Sequence, residues 1–130
     1  MEGHLTQHIS SEHPRVMVVD GSRVVRKLIE QLLRADLPGV VVLACETGAE
    51  AKQQLETGVV DLITTALRLP DMDGLELAEL VHARWPRIRL LLTSGHHQVP
   101  DSSLPDDGKF VGKPWTDGTL VAKVRAVLKA

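Results

Sequence analysis

Cysteine is nearly absent: Cys45 is the single one in 130 residues, so no internal disulfide framework can brace the fold. Long hydrophobic runs are missing too. The longest, Val40 to Cys45, falls far short of the roughly 20 apolar residues that span a bilayer, so no membrane association is expected. The polar opening from Met1 to Glu12 has no apolar centre, which excludes an ordinary secretory signal. Neither sign of charge prevails: 15 Lys and Arg stand against 17 Asp and Glu, a net charge of -2. A broad positive field for nucleic acid is therefore lacking, and no nucleic-acid partner is expected. No Gly-rich phosphate loop and no Cys or His nucleophile arrangement supports a nucleotide binder or small enzyme. The expected setting is cytoplasmic.

What is present suffices for a core. With 43% hydrophobic and 25% charged residues, the composition is that of a soluble globular protein. At this length one domain buries about two-thirds of its unfolded surface. Residues 1–14 show no period and read as a flexible N-terminal tail, leaving 15–130 as the domain. The tail holds His4, His8 and His13, but no Cys or carboxylate cluster completes a metal site around them.

From Arg15 the pattern alternates. Arg15 to Val19 is a β-branched run typical of a strand buried on both faces, and it stops at Asp20-Gly21-Ser22. Ser22 can cap a helix to about Arg34 with Val24, Val25, Leu28, Ile29, Leu32 and Leu33 as its apolar stripe. Val40 to Ala44 is the next strand. Thr47 and Glu50 form a capping box for a helix to about Glu56. Val59 to Thr65 is the third strand, followed by a loop from Ala66 to Met72. Asp73, with Glu76 in the box position, caps a helix to about Arg84 that buries Leu77, Leu80 and Val81. Ile88 to Thr93 is the fourth strand and Lys109 to Gly112 the fifth. Between them, Gly95 to Gly108 carries Pro100 and Pro105 without a helical stripe and reads as loop with at most one helical turn. A closing helix from about Asp117 to Lys129 buries Leu120, Val121, Val124, Val127 and Leu128, with Lys123, Arg125 and Lys129 towards water.

Alternating strands and helices with short connections imply a parallel sheet with right-handed crossovers and helices on both faces. Such sheets carry their functional residues at the carboxyl ends of the strands. The residues there are Asp20, Ala66, Ser94 and Lys113.

Val18-Val19-Asp20, the run Leu69-Pro70-Asp71-Met72-Asp73-Gly74-Leu75-Glu76, Leu92-Thr93-Ser94-Gly95 and Lys113-Pro114-Trp115 together resemble the CheY-like receiver domain of response regulators in two-component signalling. The resemblance covers about Arg15 to Lys129, with the four motifs in order. It implies an α/β, flavodoxin-like three-layer sandwich with a five-stranded parallel sheet in the order 2-1-3-4-5. The family's fourth helix would be short or missing here, since 95–108 departs from the family pattern.

Receivers accept a phosphoryl group from a kinase histidine on an aspartate ending the third strand. Mg²⁺ held by neighbouring acids and a lysine neutralise the phosphoryl oxygens. By resemblance, Asp20 matches the first member of the acidic pair, Lys113 the lysine, Ser94 the switch hydroxyl and Phe110 the switch aromatic. Lys113-Pro114 resembles the family's cis peptide. Two positions depart: Gly21 replaces the second acid, and Ala66 occupies the phosphoacceptor position. A methyl group cannot attack phosphorus, and Asp20 alone makes a poor Mg²⁺ site, so metal binding should be weak or absent.

The expected function is a non-phosphorylatable receiver acting by protein contact and not as an enzyme. Its partner would be a sensor kinase, another regulator or a second copy of the chain. The alternative is an authentic phosphorelay receiver in which Ala66 was introduced or another residue accepts the group. Thr65 should face away from the pocket by strand alternation, while Asp71 and Asp73 have sufficient roles as turn and cap. Lys113 is expected to pair with Asp20, Cys45 to sit in the core, and His96 and His97 to be solvated.

Overall fold

The computed structural model describes residues 13–94, 109–112 and 119–129. Pro14, assigned to the tail in the sequence, is among them. It is buried, and its carbonyl accepts from the Val41 amide at 2.8 Å. The elements in chain order are β1 (Arg15–Val19), α1 (Arg23–Asp36), β2 (Val41–Cys45), α2 (Gly48–Thr57), β3 (Leu62–Ala66), α3 (Gly74–Arg84), β4 (Arg89–Ser94), β5 (Lys109–Gly112) and α4 (Thr119–Lys129). The expected segment between β4 and β5 lies outside the described residues.

The strands form one parallel sheet in the order β2-β1-β3-β4-β5. Alternation along each strand feeds two cores. Met17, Val19, Ile63, Leu90 and Leu92 pack with Ala51 and Leu55 of α2 and with Leu77, Ala78 and Val81 of α3. Val16, Val18, Leu62 and Leu91 pack with Ile29 and Leu33 of α1 and with Leu120, Val124 and Val127 of α4. The expected three layers follow from this division.

The caps form as the sequence implies. Ser22 Oγ accepts from the Val25 amide at 3.2 Å, Thr47 Oγ1 from Glu50 at 3.0 Å, and an Asp73 carboxylate oxygen from Leu75 at 2.7 Å. Glu50 reaches one residue further back than a standard capping box, accepting from the Glu46 amide at 2.7 Å.

Three expectations are corrected. The stripe on α1 is narrower than its apolar residues: Val24 and Leu28 are 77% and 45% exposed. At about 100° per residue, Leu28 lies about 100° and Val24 about 140° around the helix from Ile29, beyond the arc the sheet covers. Likewise Leu80 is only half-buried, and Ala78 takes the inner position beside Leu77 and Val81. Strand β3 starts at Leu62, not Val59, which is 53% exposed. The start is set at Asp61, whose amide donates to the Arg15 carbonyl and whose carboxylate accepts from the Arg15 amide, both at 2.8 Å.

Candidate functional site

The β1–β3 register pairs Val18 with Thr64 and Val19 with Thr65; carried one residue further, it sets Asp20 beside Ala66. The β3–β4 register pairs Ala66 with Thr93. Asp20, Ala66 and Thr93 thus form a row across three strand ends, on the sheet face covered by α1 and α4. Their exposures are 5%, 7% and 1%, so the row is almost closed to solvent.

Each member has its own chemistry. Asp20 accepts from the Ser22 amide through Oδ1 at 2.8 Å, and its backbone carbonyl accepts from Arg26 Nη1 at 2.6 Å. The first turn of α1 is therefore tied to the end of β1 at two points. Ala66 contributes a methyl group and no side-chain oxygen. Thr93 Oγ1, like Thr64 Oγ1, is buried without a hydrogen-bond partner among the described residues. Two hydroxyls so placed leave hydrogen-bonding capacity beside the Ala66 methyl.

The connection from β3 to α3 is held tightly over these strand ends. The Leu67 amide donates to the Thr93 carbonyl at 3.0 Å, and the Gly74 amide to the Leu67 carbonyl at 2.6 Å. Gly74 lies directly on Ala66, where a Cβ would collide with the Ala66 backbone carbonyl. Pro70 lies over Gly21, and a Cβ there would sit 3.1 Å from Pro70 Cγ. Asp71 spans to α2: its two carboxylate oxygens accept from the Gly48 and Ala49 amides, each at 2.9 Å. These two hydrogen bonds from a helix N-terminus hold the Asp71 carboxyl below its ordinary value, with the Lys52 charge adding a smaller push the same way. Thr65 Oγ1 donates to the Ala66 carbonyl at 3.0 Å.

Cys45, at the end of β2, is buried as expected, and its thiol is pushed up to about 11. Burial is the main cause and the Glu50 charge adds to it, against a smaller opposing pull from Arg26. It is inert at neutral pH, consistent with a core role.

The remaining expected residues are placed only in part. Ser94 ends β4 in register with Gly112, and Phe110 of β5 is in register with Leu92. Lys113, Pro114, His96 and His97 lie outside the described residues. Thr93, Arg26 and the reach of Asp71 to α2 were not anticipated. Thr93 was legible in principle, since strand alternation assigns it to the face of Leu91, the face that carries Ala66. Among the described residues no three His, Cys, Asp or Glu side chains gather as a metal site. No described helix is long and apolar enough to cross a membrane.

Comparison with known proteins bears on this geometry. Residues 16–125 match the family described as response regulator receiver domain. The chain is 30% identical over 118 residues to the C4-dicarboxylate transport transcriptional regulatory protein DctD of Rhizobium meliloti, covering 88% of this chain but 25% of that protein. It is 28% identical over 119 residues to the response regulator receiver protein CpdR of Brucella abortus, covering 89% of this chain and 98% of that one. Among solved structures, the signal receiver domain of an HD domain-containing protein from Pseudomonas fluorescens superimposes with a TM-score of 0.80 at 26% identity, covering 90% of this chain and 95% of that one.

Proposed function

Because the chain belongs to the response regulator receiver family of two-component signalling, we propose that it serves as a receiver that is not phosphorylated and transmits its signal by contact. One observation carries this reading: the residue between Asp20 and Thr93 at the end of β3 is Ala66, buried and without a nucleophilic oxygen. By resemblance to receivers, covalent phosphoryl transfer requires such an oxygen at this position, the end of β3.

Among the neighbouring side chains, the Thr64 and Thr93 hydroxyls are 1% exposed and closed off from a phosphodonor, and three others are engaged. Thr65 Oγ1 donates to the Ala66 carbonyl, Asp71 accepts from Gly48 and Ala49, and Asp73 accepts from Leu75. Nor does the described donor set fit Mg²⁺, an ion that demands near-octahedral oxygen ligands. Asp20 supplies one carboxylate, already accepting from Ser22, while Gly21 has no side chain and Pro70 crowds the space above it. Weak or absent Mg²⁺ binding follows.

In this reading the module makes and breaks no covalent bond. Its partner is a sensor kinase, another regulator or a second copy of the chain. The chain spans 25% of DctD, whose whole activity is not carried over. The test is to incubate the protein with acetyl phosphate and Mg²⁺, then with a histidine kinase, and to measure intact mass. An unchanged mass is expected. An acid-labile phosphoryl adduct overturns the proposal, and its position by peptide mapping would identify the substitute acceptor.

A further inference from the structure

We infer that a groove at the opposite pole of the sheet docks an acidic segment of a partner protein through one large apolar side chain. The groove has a volume of about 380 Å³ and lies between the α2–β3 connection, Gly58 to Val60, and the α3–β4 connection, Trp85 to Ile88. It is at the amino ends of β3 and β4, whereas Ala66 and Thr93 are at their carboxyl ends. The groove therefore shares no lining residue with the row of Asp20, Ala66 and Thr93.

The apolar part of the argument begins with Val59. The sequence pattern places it in a covered strand, yet it is 53% exposed at the lip of the groove. Beneath it Val60 and Ile88 are buried, and the half-buried Trp85 forms a wall. An apolar lip over an apolar floor gains most when a further apolar group displaces water from it. The groove is open along one side, which suits a side chain delivered on an extended segment more than a small molecule that must be largely enclosed.

Charge selects the segment. Arg84 and Arg87 are both exposed at the rim. The Arg84 guanidinium is committed: it lies over the Trp85 ring at 4.5 Å from the centroid and pairs with Glu56 at 2.7 Å. Arg87 has no ion pair with any described residue. Arg15 brings a third guanidinium to this end, donating from Nε to the Val59 carbonyl at 2.6 Å. The rim thus carries two arginines with Arg15 beside it, and Arg87 is available to a carboxylate in bidentate geometry.

The probe is a capped peptide of four glutamates around one leucine, titrated into the ¹⁵N-labelled full chain. Saturable amide shifts are expected at 58–60 and 84–88, weakening as salt is raised. Arg87→Glu should weaken binding about tenfold or more, from loss of a charge-assisted contact, and Val59→Ser should weaken it without abolishing the salt dependence. Both side chains are exposed, and unshifted amides in β1 and β3 would confirm an intact fold. Absence of saturable shifts, shifts centred elsewhere, an equal response to the lysine counterpart of the peptide, or indifference to Arg87→Glu would each overturn the inference.

Discussion

Asp71 shows how a residue with an unremarkable local reading acquires a structural task. In sequence it is one acid in a turn; in the fold it closes the N-terminal amides of α2 at Gly48 and Ala49, more than 20 positions away. Its carboxyl is held below its ordinary value of 3.8 by those hydrogen bonds. With the folded value lowered, its contribution to stability is present above the unfolded value and is lost as pH falls through the folded one. Asp71→Asn should therefore lower the urea midpoint at pH 7, and the difference from the parent should shrink as pH is taken below 3.8. A difference independent of pH would show that the ionised form is not what holds α2. Gly74 makes a second case. Substitution by alanine ordinarily favours a helix, but here the added Cβ meets the backbone carbonyl of Ala66, which has no rotamer with which to yield. Gly74→Ala should cost about 1–3 kcal/mol in urea denaturation, the range for overpacking.

At the level of elements, the sequence carries local signals further than tertiary ones. Ser22, Thr47 and Asp73 each cap the helix assigned to them, because a side-chain oxygen two or three residues from an unpaired amide is a local matter. The width of the buried face of α1 is not local. Six apolar positions share a helical period, yet only Ile29 and Leu33 are fully buried, since the curvature of one helix against a sheet limits the arc that can be covered. Val59 illustrates the same limit: its apolar character suggests strand, while the Arg15–Asp61 exchange of hydrogen bonds fixes where pairing begins. The contrast is measurable along one helix. Val24→Lys should change stability by no more than about 0.5 kcal/mol, as for ordinary surface sites, whereas Ile29→Ala should cost about 2–5 kcal/mol. Equal losses in chemical denaturation would mean that α1 packs through a different face.

For the molecule as a whole, strand order was legible because alternating elements and right-handed crossovers leave few parallel arrangements, and the resemblance to receivers selected among them. The position of Ala66 was legible through the resemblance, whose Leu69-Pro70 motif follows three residues on. What the resemblance could not reveal is how the β3–α3 connection packs over the end of β3, with Pro70 over Gly21, Gly74 on the Ala66 carbonyl and Asp71 fastened to α2. Under the proposed reading, building a phosphoacceptor here is therefore a question for the whole assembly. Ala66→Asp supplies the nucleophile but leaves Asp20 as the sole neighbouring member of the acidic pair. Adding Gly21→Asp supplies the second acid, yet its Cβ lies 3.1 and 3.2 Å from two Pro70 ring carbons, so the connection must shift by a few tenths of an ångström. Ala66→Asp alone should remain unmodified by acetyl phosphate. The double variant should form an acid-labile adduct only in the presence of Mg²⁺ and should be less stable than the single variant in urea. If the single variant were modified as fully as the double one, Gly21 would have no chemical consequence, and Ala66 alone would account for the proposed lack of phosphorylation.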